Sequence, residues 1–180
     1  MKASSVLVLP GWQDSGPRHW QSLWVQQHGY RRVEQHDWQS PLRGDWIARL
    51  EDVLLSLDEP AVLVAHSLGC ILVAAWAAHS RNLHRVKAAL LVAPGDAERP
   101  EIRASLRSWP PIPLQRLPFP SVLVASRNDP YCAFERARLF GHAWGSQFID
   151  YGDAGHLNAD SHLASWPEGH VLLQDLVRNH

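Results

Sequence analysis

Six short apolar runs recur along the 180-residue chain, and amphipathic segments separate them. Four of the runs consist almost entirely of Val, Leu and Ala, which is typical of strands buried on both faces of a parallel sheet. The six runs are SVLVLP (5–10), RRVEQHDW (31–38), AVLVAHS (61–67), VKAALLVAP (86–94), SVLVASRND (121–129) and SQFIDYG (146–152).

The segments between these runs predict helices. Apolar residues at three- and four-residue spacing favour helices over 17–29 and 43–57, and the segment 68–80 is rich in Ala. Two further helices are predicted over 133–144 and 163–178. Strands that alternate with helices in this way predict an α/β fold, with about six parallel strands in a doubly wound sheet and helices on both faces.

The longest connection, 94–120, predicts one short helix near 98–108 and then a Pro-rich return, WPPIPLQRLPFP. Its prolines are incompatible with a central strand or a long helix. A linker between two domains is the alternative interpretation, but the 60 residues that follow are too few for a second α/β core. We therefore expect a single domain over 1–180.

Composition excludes several function classes. The hydrophobic fraction of 46% and the charged fraction of 19% are ordinary for a globular protein, and a net charge of −1 offers no basic field for nucleic acid or a membrane surface. The N-terminal apolar run is too short for a signal peptide, and Cys70 and Cys132 form no CxxC pair. The expectation is a cytoplasmic protein with no nucleic-acid or membrane partner.

Three residues at predicted strand ends carry candidate chemistry. Functional groups gather at the carboxyl ends of strands in an open parallel sheet. Ser67 follows the third strand, Asp129 the fifth and His156 the sixth. Ser, then acid, then His is the chain order of the α/β-hydrolase triad.

Each residue type suits a role in nucleophilic catalysis. A serine hydroxyl needs a base to become a nucleophile at neutral pH. Histidine titrates near neutrality, so it can accept that proton and return it to the leaving group. A carboxylate on the other imidazole nitrogen fixes the tautomer and stabilises the imidazolium.

Ser67 also has a simpler interpretation, as the N-cap of a helix that begins at Leu68. A nucleophile at a sharp strand-to-helix turn needs small residues two positions before and after it, and Ala65 and Gly69 fill these places. Ala65 departs from the G-x-S-x-G pattern, which makes the motif alone less diagnostic. The N-cap interpretation, however, does not explain the downstream Asp and His at matching strand ends.

His156 and Asp129 have local competitors. His156 is one of eleven His, and we assign it the base because GDAGHLN is a Gly-flanked loop that should expose its ring. We prefer Asp129 as the acid because SRNDP places it directly after a strand, with Pro130 fixing the turn. Its rivals are Asp150, Asp153 and Asp160.

Four ordered motifs, LPGWQDSGPRHWQSLW, VAHSLGC, SRNDPYC and GDAGHLN, extend over almost the whole chain. Together they resemble the small serine hydrolases related to retinoblastoma-binding protein nine and the bacterial YdeN-type proteins. The resemblance implies a minimal α/β-hydrolase that lacks the first two strands of larger relatives. It also implies a triad at Ser67, Asp129 and His156, and an Ala before the elbow is usual in that family.

The resemblance further implies an oxyanion hole made of two backbone N–H groups. One would come from Trp12, in the loop after the first strand, and the other from Leu68. His19 and Trp20 match a family signature near the site, and we expect them to be structural or to line the pocket. Since larger relatives insert a lid where this chain has only 94–120, we expect no lid domain. The cleft should then be shallow, with Trp12 and Trp109 as apolar walls.

Other chemistries find little support in the sequence. It contains no HExxH, CxxC or GxGxxG motif, so neither a metal nor another cofactor is expected. The expected function is a serine hydrolase that cleaves a small ester, thioester or amide through an acyl-enzyme. A non-catalytic binding protein of the same fold and an acyl transferase or perhydrolase with the same triad remain alternatives, and the sequence gives no information on a protein partner.

Overall fold

A computed structural model describes residues 2–180, and its centre is one parallel sheet of six strands. The strands lie in the order β2-β1-β3-β4-β5-β6. Their bounds are β1 Val6–Leu9, β2 Arg31–Arg32, β3 Ala61–His66, β4 Val86–Val92, β5 Ser121–Ala125 and β6 Gln147–Asp150. All six predicted strands are therefore confirmed, as is the parallel α/β architecture.

The strand order places the switch point of the sheet between β1 and β3. From β1 the chain moves outward to β2, and it then returns to add β3 on the other side of β1. Connections on the two sides of such a point diverge and leave a crevice at the carboxyl ends of the strands. The segments after β1 and β3, which begin at Pro10 and Ser67, border this crevice.

Helices cover both faces of the sheet, as the sequence predicts. Their bounds are α1 Trp20–His28, α2 Arg43–Leu55, α3 Leu68–His79, α4 Pro100–Arg103, α5 Phe134–Trp144 and α6 Pro167–Arg178. The core on one face contains residues of α2, α3 and α5, and the core on the other face contains residues of α1 and α6. None of the helices in residues 2–180 combines the length and apolar character needed to cross a bilayer.

Successive residues of the buried strands pack alternately into the two cores. In β3, Leu63 and Ala65 belong to the first core, whereas Val62 and Val64 belong to the second. This is the two-residue period of a strand, with apolar residues on both sides because both faces are covered. Seven of the nine Trp are fully buried in these cores, namely Trp20, Trp24, Trp46, Trp76, Trp109, Trp144 and Trp166.

Two elements are shorter than the sequence predicts. Strand β2 has two residues rather than the eight of RRVEQHDW, and it lies at the sheet edge, where few ladder bonds are available. The helix expected near 98–108 is limited to Pro100–Arg103, and turns follow it. Short edge strands are a common way to limit unwanted pairing with other chains.

Candidate active site

Ser67 occupies a strained turn between β3 and α3. Its backbone has φ 55° and ψ −120°, a conformation that L-residues rarely adopt. The Ser67 N–H donates to the Val92 carbonyl at 3.0 Å, which anchors the turn to β4. The Ser67 side chain makes no capping hydrogen bond to α3, so the simple N-cap interpretation does not describe it.

Small residues allow this turn to form. A Cβ on Gly69 would lie 2.4 Å from the Leu9 carbonyl oxygen, so α3 packs directly against the end of β1. A Cβ on Gly11 would lie 2.7 Å from the Ser67 Cβ, and one on Gly95 would lie 3.1 Å from the Ser67 Oγ. Glycine at positions 11 and 95 therefore allows the segments after β1 and β4 to lie directly against Ser67.

The structure brings Ser67, His156 and Asp129 into one chain of hydrogen bonds. His156 Nε2 lies 2.9 Å from Ser67 Oγ. His156 Nδ1 lies 2.9 and 2.8 Å from the two carboxylate oxygens of Asp129. Because a carboxylate only accepts, Nδ1 carries the hydrogen and Nε2 is left to accept from the serine hydroxyl. The His156 and Asp129 side chains are only 8% and 3% exposed, so the exposed ring expected for His156 is wrong.

The rival acids do not reach His156. The Asp150 carboxylate pairs with Arg127 at 2.6 Å on the surface. Asp153 and Asp160 are exposed. Asp129, by contrast, also accepts the Tyr131 backbone N–H at 2.8 Å, which fixes the orientation of its carboxylate.

Two polar side chains after β5 hold the loop that carries His156. Asn128 Oδ1 accepts the Gly155 N–H at 2.7 Å, and Ser126 Oγ accepts the Ala154 N–H at 2.9 Å. Ser126 also donates to Asn128 at 2.9 Å. Only Asp129 is predicted from the sequence at this strand end, although Ser126 and Asn128 lie in the same SRNDP motif.

A cleft of about 330 Å³ opens over Ser67. Its apolar lining includes Leu68, Ala97, Ile102 and Leu106. Its polar lining includes His19, His66, His156 and Asn158.

The structure places two of the three predicted pocket residues in the cleft. Trp12 lines the cleft, and its indole N–H donates to the Gln39 carbonyl at 2.9 Å. His19 lines it too and is only 4% exposed.

The prediction for Trp109 is wrong. Its ring is fully buried edge-on against Trp46, and its indole N–H donates to the Pro41 carbonyl at 2.9 Å. The Pro-rich part of 94–120 packs over α2, where a Trp can bury its ring and still satisfy its N–H. The wall expected from this segment instead comes from its earlier half, which contains Ala97, Ile102 and Leu106.

A buried glutamine that is not predicted from the sequence holds the loop after β1. Gln21 is fully buried at the start of α1. Its amide Nε2 donates to the Leu9 and Val64 carbonyls, at 3.1 Å each, and its Oε1 accepts from Ser15 at 2.7 Å. Since Leu9 and Val64 lie on β1 and β3, one side chain ties the loop to both strands.

The N–H groups of Trp12 and Leu68 are available as donors near Ser67. Neither donates to a protein acceptor within residues 2–180. The position of a Cβ on Gly11 lies 3.3 Å from the Leu68 nitrogen, so the loop after β1 closely approaches the start of α3. The two donors that the family resemblance implies thus belong to segments that meet beside the serine.

Burial keeps two histidines of the cleft neutral. Desolvation, with smaller contributions from His156 and Arg32, lowers the pKa of His19 to about 3. Desolvation also holds the pKa of His66 well below its usual value. Over residues 2–180, the structure shows no group of three or more His, Cys, Asp or Glu side chains that could hold a metal ion.

The chain is similar to known hydrolases in sequence and in structure. A family model described as serine hydrolase matches residues 6–175. A structure described as a YdeN-like hydrolase from Pectobacterium atrosepticum is 28% identical, with a TM-score of 0.84, and the match covers 96% of this chain and 89% of that one. No curated protein matches the chain.

Two further structures are too distant to show more than the fold. The ydeN gene product from B. subtilis is 18% identical with a TM-score of 0.76, and the match covers 97% of this chain and 99% of that one. An esterase, RhEst1 from Rhodococcus sp., is 16% identical with a TM-score of 0.66 over 98% and 92% of the two chains. The family match over 6–175 and the six-stranded parallel sheet identify the chain as a hydrolase with the α/β-hydrolase fold that belongs to the serine hydrolase family.

Proposed function

We propose that the protein cleaves a small ester, thioester or amide through an acyl-enzyme on Ser67. The observation that carries this proposal is the continuous chain of hydrogen bonds from Ser67 Oγ through His156 to Asp129, with links of 2.9 and 2.8 Å. These distances lie within the reach that a base needs to remove a proton from a nucleophile. The family and the fold independently support hydrolysis as the reaction class.

In the acylation step, Ser67 Oγ forms a bond to the acyl carbon while its proton passes to His156 Nε2. The carbonyl oxygen becomes an oxyanion, and the backbone N–H groups of Trp12 and Leu68 donate to it. The intermediate collapses when the bond to the alcohol, thiol or amine breaks. That leaving group takes the proton from His156 Nε2.

Deacylation repeats the same proton transfers with water. His156 Nε2 accepts a proton from water as the water oxygen attacks the acyl carbon, and it then returns the proton to Ser67 Oγ. The carboxylic acid is released and the enzyme regenerated. Asp129 keeps the hydrogen of neutral His156 on Nδ1 and stabilises the imidazolium that forms in each half-reaction.

The cleft supports a small-molecule substrate. Its volume of about 330 Å³ lies at the lower end of the range for ligand pockets. Ala97, Ile102 and Leu106 offer an apolar wall to an acyl chain. The lining residues come from segments between Gly11 and Ala159, which supports a single α/β-hydrolase domain over 1–180.

Trapping the acyl-enzyme tests the proposal. Incubation with p-nitrophenyl acetate should give a burst of one p-nitrophenolate per protein, and mass spectrometry should place an acetyl group on Ser67. Ser67→Ala should give neither, whereas Ser105→Ala, a substitution on an exposed turn, should give both. Turnover of p-nitrophenyl acetate without acylation of Ser67 would exclude this mechanism.

The same assay separates the two alternative functions. A binding protein would give neither a burst nor turnover. An acyl transferase would acylate Ser67 but pass the acetyl group to an added alcohol or to hydrogen peroxide in preference to water. A hydrolase releases acetate at a rate that added acceptors change little.

A further inference from the structure

We infer that His66 is a positioning residue for the base, because the donor on its ring holds the backbone of His156. His66 Nε2 lies 2.9 Å from the His156 carbonyl oxygen. His66 immediately precedes Ser67, so one side chain joins the residue next to the nucleophile to the residue that carries the base. This inference rests on the proposed function, since it concerns how Ser67 and His156 are kept within reach of each other.

The hydrogen on His66 can be assigned from its partner. A carbonyl oxygen only accepts, so Nε2 must donate and Nδ1 carries no hydrogen in the neutral ring. The ring is 4% exposed, and burial keeps its pKa well below the usual value, so it remains neutral. A hydrogen bond between two largely buried groups is stronger than the same bond in water, because the local dielectric constant is lower.

Neighbouring rings leave His66 little room to move. It lies between His156 and His19, with ring centroids 4.8 and 4.7 Å away. Trp20 packs against it edge-on at 6.1 Å. His19 is itself fixed at the start of α1, since its Nδ1 accepts the Gln21 N–H at 3.2 Å.

The His156 loop has other anchors, so loss of the His66 bond should loosen the base without unfolding the loop. The Trp20 indole N–H donates to the Leu157 carbonyl at 2.8 Å, and the Gly155 N–H donates to Asn128 at 2.7 Å. The peptide group after His156 is held on one side by the Leu157 N–H, which donates to the Ala154 carbonyl at 3.2 Å, and on the other by the bond from His66 to the His156 carbonyl. Without the His66 bond this peptide is held on one side only, so the ring of His156 can shift relative to Ser67. Misplacement by about 1 Å can cost on the order of 100-fold in rate.

Two substitutions of similar size test the role of the donor. His66→Gln keeps an amide N–H donor at about the reach of Nε2, whereas His66→Met fills similar space without one. We expect the kcat of H66M for p-nitrophenyl acetate to fall by roughly 10- to 100-fold, with KM changed less than about threefold. The kcat of H66Q should recover to within about fivefold of that of the parent.

Three controls distinguish a specific effect of the donor at position 66 from a general effect of substitution or a loss of folding. His142→Met changes an exposed histidine on α5 and should leave kcat unchanged. Circular dichroism and thermal melting establish that each variant is folded, and His66→Leu replaces H66M if the latter does not fold. The inference is overturned if the folded donor-free variant keeps kcat within twofold of the parent, or if H66Q loses as much kcat as that variant does.

The result can be separated from a failure of the proposed function. If Ser67→Ala retains the turnover of the parent, the proposed function is wrong and the effect of His66 on kcat concerns another site. If Ser67→Ala is inactive while the donor-free variant at position 66 is fully active, the proposed function stands and only the positioning role fails.

Discussion

At the scale of single residues, the backbone of Ser67 is the strongest local indication of function. A non-glycine residue at φ 55° and ψ −120° costs on the order of 1–3 kcal/mol, and the surrounding contacts must hold it there. Those contacts are the bond from its N–H to Val92 and the close packing of Gly11 and Gly69. In this backbone conformation the Ser67 hydroxyl lies within hydrogen-bond reach of His156. A serine that capped the helix would instead point its hydroxyl at the backbone N–H groups of the first turn of α3.

The proposed role of Asp129 as the catalytic acid can be tested at the same scale. Asp129→Asn should leave the fold intact but lower kcat by about 10³- to 10⁴-fold, because an amide favours the wrong tautomer of His156. The measurement is steady-state hydrolysis of p-nitrophenyl acetate. Asp153→Asn, which changes an exposed acid of the loop that carries His156, is the matched control and should retain normal activity. The reverse pattern would move the acid to Asp153.

His19 predicts a pH dependence of stability. Its pKa is about 3 in the folded protein, whereas an unfolded histidine titrates near 6.5. As the pH falls, the unfolded chain therefore binds the proton first. The stability that the neutral ring contributes is complete above pH 6.5 and is lost as the pH falls from 6.5 towards 3.

The variant His19→Asn isolates this effect, because Asn can keep the side-chain acceptor for the Gln21 N–H but does not titrate. Between pH 6 and 4, the free energy of unfolding of the parent should decrease more steeply than that of H19N. The limiting difference for one such group is about 1.4 kcal/mol per pH unit. Urea unfolding at several pH values measures both slopes, and parallel slopes would contradict the assignment of a neutral His19.

At the scale of elements, the close crossing of α3 over the end of β1 determines the geometry of the elbow. Gly69→Ala raises helix propensity, yet its Cβ would lie 2.4 Å from the Leu9 carbonyl oxygen. We expect a loss of roughly 1–3 kcal/mol in the free energy of unfolding, since backbone must move to admit the methyl group. Activity should fall as well, because α3 begins directly after Ser67.

Gly44→Ala is the matched control for this substitution. Gly44 also lies in the first turn of a helix, α2, but a Cβ there would meet nothing within 4 Å. That substitution should raise the free energy of unfolding by up to about 1 kcal/mol. Chemical denaturation of both variants gives the comparison, and equal effects of the two substitutions would argue against a tight α3–β1 crossing.

Strands buried on both faces could be predicted from the sequence. The length of the edge strand β2 and the packing of the Pro-rich return in 94–120 could not. Strand β3 is apolar from Ala61 to Ala65 because helices cover both of its faces, so the run AVLVA identifies it. Strand β2 has only the pair Arg31–Arg32, and no local pattern fixes where such an edge strand ends. Trp109 shows the same limit, since the packing of a Pro-rich return depends on α2, which lies far away in sequence.

The candidate site was predictable to the extent that strand ends determine it. Ser67, Asp129 and His156 follow β3, β5 and β6, and a parallel sheet brings those ends to one edge. The supports of the site were not predictable in this way. Asn128 and His66 act through hydrogen bonds to the backbone of 155–156, and such bonds have no fixed spacing in sequence.

At the scale of the whole molecule, we expect the connection 94–120 to limit the size of the acyl chain that the cleft accepts. It contributes a wall to the cleft through Ala97, Ile102 and Leu106, and its only helix in the described chain has four residues. We expect p-nitrophenyl acetate and butyrate to be cleaved with higher kcat/KM than longer esters, and no rate increase at a lipid interface. A profile that rises to twelve carbons, or a jump in rate above the micellar limit of the substrate, would contradict this.

The most direct test of the central claim is labelling with a fluorophosphonate probe, followed by peptide mapping. The probe reacts with a serine only when a base activates it. We expect one label per protein, on Ser67, with the rate of labelling greatly reduced in His156→Ala and abolished in Ser67→Ala. Labelling at full rate of another serine in Ser67→Ala, or no labelling of the folded parent protein, would contradict the assignment of Ser67 as the nucleophile.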